Sequence, residues 1–206
     1  MAKRYEVLKG LPTYGQMAIS ITNNDELFVS EGYVVKFFRD DGSTWIANFS
    51  TGYNNLFTII EFLDSKNLLV IAGGEGYFMN PNSSKPDKEF VYYIEEFVKR
   101  ENGGFIFATL TDIIFFDEYA EEEWKINISY DGIKDLTIKG NELRGYCYDI
   151  FAIDNDDMWV KFMINIDTKE LEGGCGDIEI IPEKKPWSRY IWVVGFMLLL
   201  YYQLSR

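Results

Sequence analysis

Four times along the chain the same order of residue types recurs: a short apolar run, a turn, a second apolar run, an acidic or asparagine-rich turn, then an aromatic. The first copy runs Leu27-Phe28-Val29, Gly32, Val34 to Phe38, Asp40-Asp41-Gly42 and Trp45. The second is Leu68 to Ala72, Gly73-Gly74 and Gly76, Tyr77-Phe78-Met79, Asn80-Pro81-Asn82 and Phe90. The third is Phe105 to Ala108, Thr111-Asp112, Ile113 to Phe116, Asp117-Glu118 and Trp124. The fourth is Leu143 to Tyr146, Phe151-Ala152-Ile153, Asp154 to Asp157 and Trp159. The starts Leu27, Leu68, Phe105 and Leu143 lie 41, 37 and 38 residues apart. A period near that length, made of strand-sized runs, is what a propeller blade requires: a small antiparallel sheet whose apolar faces only its neighbours can cover. The expected fold is therefore all-β and antiparallel, with about four blade-like repeats in a small or partial β-propeller. A β-meander or sandwich is the alternative, since hairpins at short spacing occur in any β protein.

Composition supports a sheet protein with a real core. Apolar residues make up 47% and aromatics 17%, with 16 Phe and 14 Tyr, which suit half-buried pleated surfaces and exclude a disordered chain. At 206 residues the chain is one domain, residues 1–182, plus an appendage, residues 183–206, and needs no disulfide or metal staple to be stable. Residues 89–100 carry Phe90, Tyr93, Ile94 and Phe97 at helical spacing, but the strong runs that flank them closely favour a strand.

Candidate chemistry is sparse. The chain has no histidine, which removes the commonest general base, the usual metal ligand and every Ser-His or Cys-His pair. Gly73-Gly74-Glu75-Gly76 lacks the Gly-Lys-Ser/Thr of a phosphate-binding loop and reads as a hairpin turn. Cys147 and Cys175, 28 residues apart, fit no common zinc spacing and make no disulfide framework; Cys147 is expected as a small core residue and Cys175, among glycines, at the surface. No cofactor and no metal is expected. Asp154-Asn155-Asp156-Asp157 has carboxylates close enough to chelate calcium but lacks the later glycine and glutamate of an EF-hand loop, so it reads as a solvated hairpin tip. Two carboxylates for glycoside hydrolysis cannot be paired from sequence.

Charge points to proteins rather than nucleic acids. The net charge is −13; residues 183–206 carry Lys184, Lys185, Arg189 and Arg206 against Glu183, or +3, which leaves −16 on the body. Such a body repels a phosphate backbone and excludes nucleic acid as the expected partner. It suits a basic protein partner, although solubility alone explains the same charge. The expected contacts are three acidic tips: Asp40 and Asp41; Glu121, Glu122 and Glu123; and Asp154, Asp156 and Asp157.

Two resemblances add to this reading. Asp40-Asp41-Gly42-Ser43-Thr44-Trp45 resembles the Asp-box, a hairpin turn recurrent in propellers, with Gly42 at the left-handed position, Asp40 accepting turn amides and Trp45 packed beneath. The usual leading serine is replaced by Phe38. From Trp124 to Gly174, the order Trp124, Ser129-Tyr130-Asp131-Gly132-Ile133, Leu136, Gly140, Leu143, Gly145, Trp159, Phe162, Ile166-Asp167-Thr168 and Gly173-Gly174 is similar to a family of small bacterial β-repeat proteins, from whose pattern Lys169 departs where a glycine is more usual. Some of that family resemble immunity partners of bacterial toxins. The resemblance covers roughly residues 20–175 and brings no catalytic residues, because its positions are strand and turn determinants: Asp131-Gly132 as a turn, Trp124 and Trp159 as core. It implies a non-enzymatic module that neutralises a cognate toxin by binding and occluding it.

After Pro182 the character changes. Glu183-Lys184-Lys185-Pro186 is a charged linker, and residues 187–204 are strongly apolar with Trp187, Trp192, Tyr201 and Tyr202 placed like an interfacial belt. Eighteen residues stand near the lower limit for a membrane span. The body is expected in the cytoplasm, since the N-terminus has no apolar leader, with the C-terminus as a membrane anchor at the inner face or a helix packed on the fold. An anchored sensor or accessory subunit is the alternative function.

Overall fold

The computed structural model describes residues 3–22, 30–62, 66–88, 90, 92–152, 158–175 and 179–182. All regular structure among them is strand, in four sheets. The first sheet holds β1 (Tyr5–Val7), β2 (Ile19–Ile21), β3 (Tyr33–Phe38) and β4 (Thr44–Phe49), in the order β1-β3-β4-β2, with β2 parallel to β4. The second is the meander β5 (Phe57–Glu61), β6 (Leu68–Ala72), β7 (Glu75–Met79) and β8 (Pro86–Lys88). The third joins β9 (Glu96–Lys99), β10 (Phe105–Ala108), β11 (Asp112–Phe116) and β12 (Glu122–Asn127). The fourth is β13 (Ile133–Lys139), β14 (Glu142–Tyr148), β15 (Trp159–Asn165) and β16 (Leu171–Gly173). The chain then returns to the third sheet, where β17 (Glu179–Pro182) pairs antiparallel with β12.

The sheets lie face to face in sequence order, and strand sequence says why. β6 (Leu-Leu-Val-Ile-Ala) and β10 (Phe-Ile-Phe-Ala) are apolar at every position because both of their faces are covered. Leu68, Val70 and Ala72 meet Val35, Phe37, Trp45, Ala47 and Phe49 of the first sheet. Leu69 and Ile71 meet Phe105, Phe107, Ile114 and Phe116 of the third. Ile106, Ala108, Ile113, Phe115, Trp124 and Ile126 meet Leu143, Cys147, Phe162 and Ile164 of the fourth. These three cores join neighbours only, so the described residues form an open stack of four blade-like sheets.

The repeats therefore correspond to sheets, with local corrections. Leu68 and Phe105 open β6 and β10, and Leu143 lies in β14. Phe151-Ala152 is not a strand: Asp149 takes Phe151 N on Oδ1 (2.8 Å) and Ala152 N on its carbonyl (3.2 Å), which makes a turn, and the next strand among the described residues is β15, from Trp159. In residues 89–100 the described part is strand over Glu96–Lys99, with a single bridge from Tyr93 to Glu75, and no helix. Gly73 and Gly74, at φ 62° and 92°, make the two-residue β6–β7 hairpin.

Cys175 departs from its expected place. It is buried, and it is disulfide-bonded to Cys147 with Cα atoms 6.4 Å apart. Gly173 and Gly174, both at positive φ, turn the chain inward, and Cys175 N donates to Ile128 O (3.0 Å). Among the described residues no helix is long and apolar enough to cross a membrane. The appendage at 183–206, the run Leu27-Phe28-Val29 and the tip Asp154, Asp156 and Asp157 lie outside the described residues.

Candidate protein-binding surface

The acidic tips within the described residues do not converge, and most of their carboxylates are already engaged. In the β3–β4 hairpin Gly42 takes φ 83° and its N–H closes the turn onto Arg39 O (3.0 Å). Trp45 packs beneath, stacked on Phe37, as the Asp-box resemblance implies. The turn amide is accepted by Asp41, not Asp40: Ser43 N donates to Asp41 Oδ1 (2.8 Å), and this bonding holds the Asp41 carboxyl below its ordinary range. Asp40 reaches across to the second sheet, accepting from Asn82 Nδ2 (2.9 Å) while its N–H donates to Asn82 Oδ1 (2.9 Å). In the third sheet Glu122 accepts from Tyr92 Oη (2.8 Å), and Glu123 pairs with Arg100. Glu121 is exposed, with its backbone held by Asp117. These residues act first as ties within and between sheets.

A cavity of about 320 Å³ lies where the first two sheets meet, lined by Arg4, Phe38, Asp40, Lys66, Asn80, Pro81 and Asn82. Arg4 donates to Lys66 O, and Asp40 is the one carboxylate in this lining. Glycoside chemistry of the two-carboxylate kind needs a facing pair there. Among the described residues no three potential metal ligands stand together.

The fourth sheet ends the described stack, and its strands alternate inward and outward, with one bulge in β13 at Asp135. Ile133, Leu136, Ile138, Leu143, Cys147, Val160, Phe162, Ile164 and Leu171 point to the third sheet. The opposite parity points outward, where no described element lies against it: Lys134, Thr137 and Lys139 on β13; Glu142, Arg144, Tyr146 and Tyr148 on β14; Trp159, Lys161, Met163 and Asn165 on β15; and Glu172 on β16. The outer side of the first sheet is different. There Asn48 is buried and bonded to Gly32 N and Ser30 O (2.9 Å each), so residues 30–32 cover it.

Register arranges the outward side chains in rows. Tyr148 stands opposite Trp159; Lys134, Tyr146 and Lys161 form the next row; Thr137, Arg144, Met163 and Glu172 the third. Trp159, expected in the core, is instead half-buried on this face, edge-on to Tyr148 with ring centroids 5.4 Å apart and with Lys134 Nζ 3.7 Å above its ring. Gly132, at φ 133°, lets that ring lie close: a Cβ would stand 3.0 Å from Trp159. Lys161 Nζ approaches Tyr146 at 6.0 Å, and Arg144 is paired with Glu142.

At one end the row of rings runs into exposed apolar side chains. Tyr148 Oη donates to Met158 Sδ (3.1 Å), and Tyr130 packs edge-on against Phe151 at 5.5 Å. Phe151 is 66% exposed, Ile150 49% and Tyr130 45%, and the exposed Leu110 adjoins them through its carbonyl, which accepts from Gly132 N (2.7 Å). Aromatic and methionine anchors grouped on one exposed face are what protein interfaces are made of. Positional parity was the available signal: in Trp-Val-Lys-Phe-Met-Ile-Asn, Trp159 shares the side of Lys161 and Asn165. No known family model, curated protein or solved structure matches the chain.

Proposed function

We propose that this chain is a non-catalytic protein-binding module of immunity type, which neutralises a cognate bacterial toxin by binding and occluding it. The observation that carries the reading is the grouping of Tyr146, Tyr148, Trp159 and Met158 with the nearby pair Tyr130 and Phe151 at the fourth sheet, half-buried or exposed among the described residues. The family resemblance falls on this same part of the chain, from Trp124 to Gly174, and supports the same reading. Within the proposal, the apolar stretch 187–204 tethers the domain to the inner face of the cytoplasmic membrane.

Co-expression with the product of a neighbouring toxin-like gene is expected to restore growth and to yield a stable complex. A Trp159→Ala, Phe151→Ala double variant that still folds is expected to lose that protection. Full protection by the variant, or no binding to any neighbouring gene product, rejects the reading.

A further inference from the structure

We propose that the outer face of the fourth sheet docks an acidic surface of the partner protein, so that the contact is opposite in sign to the chain as a whole. This deepens the binding-module reading and rests on it. Its solvent-pointing strand positions carry Lys134, Lys139, Arg144 and Lys161 against Asp135, Glu142 and Glu172, four positive and three negative, or +1, on a chain of net charge −13. The cations are interleaved with Tyr146, Tyr148, Trp159 and Met163 in the rows set by strand register, so the same patch offers apolar area and positive charge together. That combination fits a partner patch of carboxylates around apolar side chains, with the charges fixing partner and orientation and the rings supplying contact area.

Cations beside rings also suit single-stranded nucleic acid, whose bases stack on open aromatic faces. Two observations favour protein. Lys134 Nζ lies 3.7 Å above the Trp159 ring, on the face a base would take, and Tyr148 meets that ring edge-on rather than leaving a flat platform. A polyphosphate also carries its charge past the patch and into the repulsion of the acidic body, whereas a folded partner can confine its carboxylates to the area of contact.

Fluorescence anisotropy with the full chain tests the chemistry, using a labelled peptide of alternating glutamate and leucine, its lysine–leucine counterpart and an oligothymidylate. The glutamate peptide is expected to bind best and to weaken about tenfold or more on going from low to physiological salt. Lys139→Glu with Lys161→Glu, both at exposed positions, turns the face from +1 to −3 and is expected to abolish binding. Stronger binding of the lysine peptide or the oligothymidylate, no binding of the glutamate peptide, or an unaffected double variant overturns the proposal. Should the double variant fail to fold, the salt dependence of the wild-type chain decides instead, and salt-independent binding overturns it.

The neighbouring gene product separates this inference from the reading beneath it. Binding that survives Lys139→Glu with Lys161→Glu but is lost with Glu121→Gln, Glu122→Gln and Glu123→Gln keeps the immunity reading and removes this face from it. A glutamate peptide that binds the face while no neighbouring product does keeps the face and removes the immunity reading.

Discussion

At the junction of the first two sheets, the phenol of Tyr77 is buried and donates to Glu75 Oε2 (2.6 Å) while Ser50 Oγ lies 2.6 Å away. Burial, then the bond to the Glu75 carboxylate, pushes the phenol's pKa well above its ordinary value, so it stays neutral and keeps donating throughout the working pH range. Tyr77→Phe leaves Glu75 without this donor and is expected to cost about 1–3 kcal/mol, measured as the shift in urea unfolding. Glu96 makes a pH-dependent tie of another kind. Its Oε1 accepts from Leu136 N (3.2 Å), joining β9 to the β13 bulge where Asp135 takes φ 57°. Burial raises the Glu96 pKa, and the nearby Asp135 carboxylate adds to this against the two backbone bonds that lower it. A carboxyl with a raised folded-state pKa contributes stability that is full below its unfolded pKa and is lost as pH climbs through the folded one. Glu96→Gln keeps an acceptor for Leu136 without the charge. The stability difference, variant minus wild type, is therefore expected to move in the variant's favour from about pH 4 to neutrality. A difference that stays flat across that range removes Glu96 from the pH response.

Among the elements, β14 and the segment just after β16 are fastened by Cys147–Cys175, closing a loop across a separation of 28 residues. A crosslink of that span is worth about 3–4 kcal/mol in the chain-entropy account, so reduction is expected to lower the unfolding free energy by about that amount. Alkylation of the denatured chain, with and without prior reduction, checks the pairing: labelling of both thiols without reductant excludes it. A bond of this kind persists in an oxidising compartment, whereas a cytoplasmic body would carry the same two residues as packed thiols, so the labelling also tests the proposed location. The bridge illustrates what spacing along a chain does not report. Cys147 and Cys175 meet because Gly173 and Gly174 bend β16 back toward Ile128, a contact that exists only once the third and fourth sheets have packed. The repeats were legible because each strand needs its own apolar run, and Trp45 and Trp124 because a large ring after an acidic turn has a core to enter. The internal partners of the acidic tips were not legible, because Asn82, Tyr92 and Arg100, which engage Asp40, Glu122 and Glu123, lie 42, 30 and 23 residues away. Trp159 was placed in the core on residue type, although the parity of β15 puts it with Lys161 on the outside.

For the whole molecule, a net charge of −13 opposes compaction, since carboxylates spread over an open stack repel one another. Raising sodium chloride from about 20 to about 500 mM shortens the screening distance severalfold and is expected to raise the denaturation midpoint. An unchanged or lower midpoint would mean that local ties such as Arg100–Glu123 outweigh the general repulsion. The path of the chain adds a mechanical consequence. It leaves the third sheet, builds the whole of the fourth, and comes back to lie beside β12, so the fourth sheet is an excursion fastened at both ends to one neighbour. Tension applied to the segment beyond Pro182 is taken first by the β12–β17 pairing, and the last sheet bears none of it until β17 tears away. On a tethered domain, the face that meets a partner would thus keep its shape while the anchor is pulled.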